Sequence, residues 1–170
     1  MKKNKGIKLG IIVAILLLGV AFAAFSTNLT VNGTAKINGD SSNFATNVVF
    51  YDVSTSTTGA TATLSNDGKT ITFTTQEMIT VGTSAVLSYK IKNTSNYGAS
   101  VSKLTCTSSD VDFASYLTAT PSRTSNLTVA KGATSAAETL TVAMAKSYPE
   151  STAKSITYTC TMTATAQDAN

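Results

Sequence analysis

The sequence predicts an all-β protein, an antiparallel β-sandwich of jelly-roll type preceded by an N-terminal hydrophobic helix. Three observations favour this fold class. Apolar and polar residues alternate in many short segments, turn sequences rich in Gly, Asn and Ser separate those segments, and the chain contains only two prolines. About eight or nine short strands separated by turns are typical of two packed antiparallel sheets.

Residues 1–25 predict export. Four lysines within residues 1–8 precede an uncharged apolar run, and Ala21 and Ala23 are small residues with the spacing of a signal-peptidase site. We interpret residues 1–23 as a signal peptide that signal peptidase cleaves after Ala23, and residues 24–170 as one sandwich domain. The run of about 17 residues also reaches the lower limit for crossing a bilayer, so a retained N-terminal membrane anchor with cytoplasmic lysines stays open.

The charge distribution argues against a nucleic-acid partner. The net charge is +4, from 13 basic and 9 acidic residues. Four of the basic residues are the lysines of residues 1–8, so the part beyond the leader is neutral. Without a basic stripe and without tryptophan, binding of nucleic acid has neither electrostatic nor stacking support.

The first alternating segment after the leader runs from residue 25 to residue 37. Its apolar residues at odd positions are Phe25, Leu29, Val31, Ala35 and Ile37. Such a segment is either the first strand of its own sheet or a strand donated to an exposed sheet edge of a neighbouring molecule. In strand donation, main-chain hydrogen bonds give affinity and alternate side chains give register. Both alternatives stay open.

Turn signals divide the middle of the chain into further strands. The pair Asp67-Gly68 is typical of a tight hairpin turn. The turn-rich hexamer from Asn93 to Gly98 ends another strand. In chain order, the predicted strands cover residues 47–53, 61–64, 70–74, 85–91, 99–107, 113–120, 126–129 and 139–144.

The closing segment, residues 157–166, has the clearest alternation. One face carries only threonines and the other carries Tyr158, Cys160, Met162, Ala164 and Ala166. This period of two predicts a strand with one face buried.

The two cysteines, Cys106 and Cys160, lie in predicted strands. An oxidising environment outside the cell would permit a disulfide, which on the chain-entropy model contributes about 4 kcal/mol. Two reduced cysteines that pack as small apolar residues are the alternative.

The composition argues against catalysis. Because the chain has no histidine, it cannot form a Ser-His-Asp triad, a Cys-His pair or a His-Glu-x-x-His zinc site. The distant cysteines lack zinc-site spacing. Asp110 and Asp112 could help to ligate calcium, but a solvated loop is favoured because the other ligands of a calcium loop are missing. We therefore predict no catalytic residue, no metal and no cofactor.

The six tyrosines could in principle form a sugar-stacking platform. Since the chain lacks tryptophan and the tyrosines do not cluster in the sequence, we interpret them as amphipathic residues of the core and its rim.

The leader, turns and closing strands follow one another in a recognisable order. A leader ending Ala21-Phe22-Ala23-Ala24-Phe25-Ser26 runs directly into a strand, Val81-Gly82-Thr83 precedes the strand that ends at Asn93, and Lys131-Gly132 precedes the Thr-rich closing strands. This order resembles the TasA and camelysin family of exported bacterial proteins. The resemblance implies a jelly-roll sandwich, a specialised signal peptidase and a place at the cell surface or in the biofilm matrix. In fibre-forming members it implies a subunit whose N-terminal strand completes its neighbour.

The predicted function is that of a non-enzymatic exported protein of the cell surface or extracellular matrix, and of a candidate fibre subunit. Its expected partners are further copies of itself or other surface and matrix proteins. One alternative is a membrane-tethered ligand-binding or adhesion module. Another is a minor pilin-like subunit, because Lys5-Gly6 precedes an apolar segment, although Ile11 stands where such pilins usually carry glutamate.

Overall fold

The structure is a computed structural model that describes residue 44 and residues 46–167. Its elements, in chain order, are β1 (Val48–Thr55), β2 (Thr61–Leu64), β3 (Thr70–Thr74), β4 (Ser84–Asn93), β5 (Gly98–Val101), β6 (Thr105–Ser108), α1 (Val111–Ala114), β7 (Leu117–Pro121), β8 (Leu127–Val129), β9 (Glu138–Met144), β10 (Thr157–Thr161) and β11 (Ala164–Gln167). Among these residues, no helix has the length and apolar character needed to span a bilayer. The cleavage residues Ala21 and Ala23, the hydrophobic N-terminal helix and the candidate donor strand Phe25–Ile37 lie outside the described residues.

The strands form three antiparallel sheets in the described part of the chain. Their orders are β1-β4-β9-β7, β2-β3-β10-β6 and β11-β5-β8. Buried side chains from all three sheets belong to one hydrophobic core. The prediction of an all-β protein built from antiparallel sheets is therefore confirmed.

The second and third sheets share two long, interrupted strands. β5 continues into β6 after residues 102–104, and β10 continues into β11 after residues 162–163. At this interruption the Ser102 amide donates to the Thr163 carbonyl at 2.8 Å, and the Thr163 amide donates to Ser102 Oγ at 3.0 Å. The two strand pairs thus stay connected where regular pairing stops.

Side chains that alternate along the strands fill the core. In β3, Ile71 and Phe73 are buried opposite Cys160 and Tyr158 of β10. In the first sheet, Phe50 of β1 meets Tyr89 of β4 edge to face, with ring centroids 5.5 Å apart. Burying large apolar and aromatic side chains of this kind is the main stabilising contribution to such a sandwich.

The turn after β4 is fastened by the fully buried side chain of Asn93. Its Nδ2 donates to the carbonyls of Tyr97, Val129 and Ala130 at 2.8, 3.1 and 3.2 Å. Its Oδ1 accepts from the amide and the hydroxyl of Ser95 at 3.0 and 2.6 Å. One amide therefore links the turn to the segment that follows β8.

The outer side of β1 is covered by the β2–β3 hairpin turn. The Phe50 amide donates to the Gly68 carbonyl at 2.8 Å, and Lys69 Nζ donates to the Val48 carbonyl. Gly68 has φ +69°, and a Cβ there would lie 2.8 Å from Cβ of Val49, so only glycine fits without movement. A bulge beside Asp52, with φ +50°, further distorts this edge.

Several details differ from the sequence expectations. The predicted strands 99–107 and 157–166 are each interrupted, at residues 102–104 and 162–163. Residues 111–114 form the helix α1 rather than the start of a strand, because Oδ1 of Asp110 accepts from the Phe113 amide at 2.9 Å and Phe113 is buried. Ala166, expected on a buried face, is exposed.

Candidate functional site

The carboxylates considered as calcium ligands have separate structural positions. Asp110 caps α1, whereas Asp112 lies in the first turn of that helix. An acidic residue in the first turn interacts favourably with the helix dipole. In the described residues no group of three or more His, Cys, Asp or Glu side chains is placed to hold a metal ion.

Other acidic side chains contact basic or hydroxyl groups nearby. Asp52 lies 2.7 Å from Lys90 Nζ, and Glu150 lies 3.5 Å from Lys154 Nζ. The Ser65 hydroxyl donates to Asp67 at 2.5 Å, and this hydrogen bond is the main cause that lowers the pKa of Asp67. These carboxylates stabilise turns and strand surfaces.

Arg123 makes more side-chain hydrogen bonds and ion pairs than any other charged residue in the described part of the chain. It was not among the residues singled out from the sequence. Its guanidinium donates to the carbonyls of Val101 at 3.2 Å, Ser102 at 2.9 Å and Ser125. Its Nε lies 3.5 Å from Glu138 Oε2, and both side chains are about nine-tenths buried. The one signal in the sequence is weak: Arg123 is its only arginine.

Tyr89 packs beside this ion pair. Its pKa is raised above 10.0, mainly because burial disfavours the phenolate, and the Arg123 guanidinium partly opposes the shift. The neutral phenol belongs to the core, and the nearly buried guanidinium and Glu138 carboxylate lie beside it.

The two cysteines are joined in the structure. Cys106 of β6 lies directly opposite Cys160 of β10 in the strand register, and a disulfide connects them with their Cα atoms 4.0 Å apart. Cys160 is fully buried, so the bond lies on the core side of the second sheet.

The outward side of the second sheet is almost uniformly threonine, and we call it the threonine face. Its strands contain no charged residue. Register aligns threonines across neighbouring strands, and the hydroxyls of Thr74 and Thr157 lie 2.9 Å apart. The residues of the face are Thr61, Thr63, Thr70, Thr72, Thr74, Thr105, Thr107, Thr157, Thr159 and Thr161.

An open cavity of about 500 Å³ adjoins one end of the threonine face, and we call it the polar cleft. It lies at the interruption between β5 and β6 and between β10 and β11. Residues that line it include Ser102, Lys103, Thr105, Asn126, Thr161 and Thr163.

Three aromatic rings cluster beside the loop after β9, contrary to the sequence-based interpretation of unclustered tyrosines. The ring of Tyr148 meets Phe113 at 4.9 Å and Tyr116 at 5.1 Å. Lys154 Nζ lies 5.0 Å from the Tyr148 ring centroid and donates to its hydroxyl at 2.5 Å. This hydrogen bond is the main cause that raises the pKa of Lys154. Tyr148 and Lys154 both belong to the loop after β9. The contacts of the Tyr148 ring with Phe113 and Tyr116 therefore hold this loop against α1 and the residue before β7.

One end of the third sheet is formed by β11, which pairs only with β5 among the described residues. Thr165, Ala166 and Gln167 are exposed there. The candidate features are thus this open edge, the threonine face and the polar cleft.

Comparison of the whole chain with protein-family models, curated proteins and solved structures gives no match.

Proposed function

We propose that the protein is a non-enzymatic, exported sandwich of jelly-roll type that acts by contact with other molecules at the cell surface or in the extracellular matrix. In this proposal it is a TasA-like or camelysin-like subunit. The leader, residues 1–23, is removed by signal peptidase or retained as a membrane anchor.

The observation that carries the proposal is the open edge of β11. The alternation of the closing segment puts Ala164 and Ala166 on the same side as the buried Tyr158 and Cys160, yet Ala166 is exposed. An exposed strand face next to backbone groups that no other described strand pairs with is a template for a further strand. The edge of β1, by contrast, is covered by the hairpin turn at Gly68.

The proposed donor is the alternating segment Phe25–Ile37 of a neighbouring copy. Its apolar residues would cover the side of β11 that carries Ala166, while its backbone would pair with the open edge. Repetition of this contact from one copy to the next would build a fibre. Self-association is therefore the main partnership that we propose.

A pair of matched substitutions tests the contact. Ala166→Lys places a charge on the face that the added strand would cover, whereas Thr165→Lys places the same charge on the opposite face of the same strand. We expect negative-stain images to show filaments for the wild type and for Thr165→Lys, and folded monomers for Ala166→Lys. Deletion of residues 24–37 should also give folded, soluble monomers.

Two outcomes would contradict the proposal. If Ala166→Lys or the deletion unfolds the isolated molecule, the segment is the first strand of its own sheet. If the wild type forms no filaments and remains monomeric, the fibre is excluded. Mass spectrometry of the native N-terminus then decides the form of export, because an intact Met1 or Lys2 indicates a tethered protein.

A membrane-tethered ligand-binding or adhesion module is the second candidate function. The polar cleft favours it, because its volume of about 500 Å³ falls within the range of roughly 300 to 1,000 Å³ that is usual for ligand sites.

A further inference from the structure

The walls of the polar cleft are held in place by buried contacts. Arg123 donates to the carbonyls of Val101 and Ser102 behind the cleft, and Val101 is completely buried. Where the strands are interrupted, the Ser102 amide donates to the Thr163 carbonyl, and the Thr163 amide donates to Ser102 Oγ. A site fixed before binding loses less entropy when a ligand is bound.

The disulfide supports the same region from the side of the second sheet. Cys106 and Cys160 are the direct neighbours of Thr105 and Thr161, which line the cleft. The residues that line the cleft are therefore held on one side by the Cys106–Cys160 disulfide and on the other by the hydrogen bonds of the Arg123 guanidinium.

Most of the polar groups that line the cleft are exposed and available to a ligand. The hydroxyls of Thr105, Thr124, Thr161 and Thr163 make no side-chain hydrogen bond with the described residues. The side-chain amide of Asn126 is likewise unpaired within that part of the chain. These groups can donate to and accept from the hydroxyls of a polyol.

Lys103 is the only charged side chain that lines the cleft in the described part of the chain. Lys103 is exposed at its margin and forms no salt bridge within residues 46–167, and no aspartate or glutamate of that range lines the cavity. Glu138, the acidic residue behind the wall, is already paired with Arg123. The thioether of Met162 adds an apolar surface on which the carbon face of a sugar ring can pack.

We propose that the polar cleft binds an anionic polyhydroxylated polymer, that is, a saccharide or polyol chain that carries carboxylate or phosphate groups. Lys103 pairs with the anionic group, and the threonine hydroxyls and Asn126 bind the neutral hydroxyls. This inference goes beyond the proposed assembly by strand addition and does not depend on it, because the described residues that line the cleft all belong to one molecule.

Calorimetric titration of the purified full-length protein tests the inference. The probes are an oligogalacturonate for the carboxylate class, a glycerol-phosphate oligomer for the phosphate class and a maltooligosaccharide as the neutral control. We expect saturable binding of at least one anionic probe and weaker binding of the neutral one. Lys103→Ala should weaken the anionic interaction about threefold to tenfold, the size of one exposed charge-assisted hydrogen bond.

Two further variants separate a site from general charge attraction. Lys146→Ala removes the same charge from an exposed position outside the cleft and should leave affinity unchanged. Asn126→Ala leaves the charge unchanged and should still weaken binding. Equal losses for Lys103→Ala and Lys146→Ala, no effect of Asn126→Ala, or no binding of either anionic probe would overturn the proposal. If a protein that forms no filaments still binds an anionic probe, the proposed ligand site stands and only the proposed fibre is contradicted.

Discussion

Substitution of Asn93 by alanine should destabilise the protein more than substitution of an exposed residue of the same turn. Asn93 is fully buried, and its amide bonds three carbonyls and two groups of Ser95. Its removal takes the acceptor from the buried Ser95 amide, whereas the carbonyls of Tyr97 and Ala130 keep Ser95 Oγ and the Ala133 amide as donors. A buried polar group left without a partner costs about 1–3 kcal/mol, so we expect a loss of about 1–3 kcal/mol.

The matched control is Asn96→Ala, three residues further along the same turn. Asn96 is exposed, and its replacement should change stability by no more than about 0.5 kcal/mol. Equilibrium urea unfolding under oxidising conditions, followed by far-ultraviolet circular dichroism, gives both values. If the two variants unfold with free energies that agree within about 0.5 kcal/mol, the buried amide does not fasten this turn.

Asn93→Asp tests the direction of the hydrogen bonds. A carboxylate keeps the acceptor for Ser95 but faces the three carbonyl oxygens without donors, and it would be charged in a buried site. The loss at neutral pH should therefore be at least as large as that of Asn93→Ala. A smaller loss would indicate that acceptance from Ser95, not donation to the carbonyls, matters most.

Three further predictions concern the hairpin turn, the disulfide and the buried phenols. Gly68→Ala should cost about 1–3 kcal/mol because of contact with β1 and strain, whereas Gly132→Ala, at a similar φ in open space, should cost only the strain of about 1 kcal/mol; equal values in urea unfolding would exclude the contact. Replacing Cys106 and Cys160 together by alanine should lower the free energy of unfolding by about 2–4 kcal/mol; no change would contradict the stabilising bond. Burial raises the pKa of Tyr158, so the unfolded state loses its proton first and stability falls as pH rises above 10.0; Tyr158→Phe should weaken this fall, and unchanged pH curves would refute the assignment.

Local patterns in the sequence predicted the local structure well. The hairpin strands 61–64 and 70–74 have the bounds expected from the Asp67-Gly68 turn, because both the turn residues and the alternation act over a few neighbouring positions. The strand at 113–120 was wrong at its start. There, the Asp110 cap and the burial of Phe113 outweigh a weak preference for extended backbone.

Long-range features were beyond the reach of such patterns. The position of β10 between β3 and β6 depends on contacts across most of the chain. The cleft arises from two interruptions that coincide only in the folded sheet, and the role of Arg123 depends on carbonyls about 20 residues away in sequence. A single arginine is a weak signal by itself, and the sequence offers no sign of which carbonyls it binds.

The place of β10 has a consequence for biosynthesis. β10 joins the β2–β3 hairpin to β6, yet it occupies residues 157–161 and follows all three strands in the chain. The ribosome therefore makes β10 after the other three strands of the second sheet, and that sheet cannot close earlier.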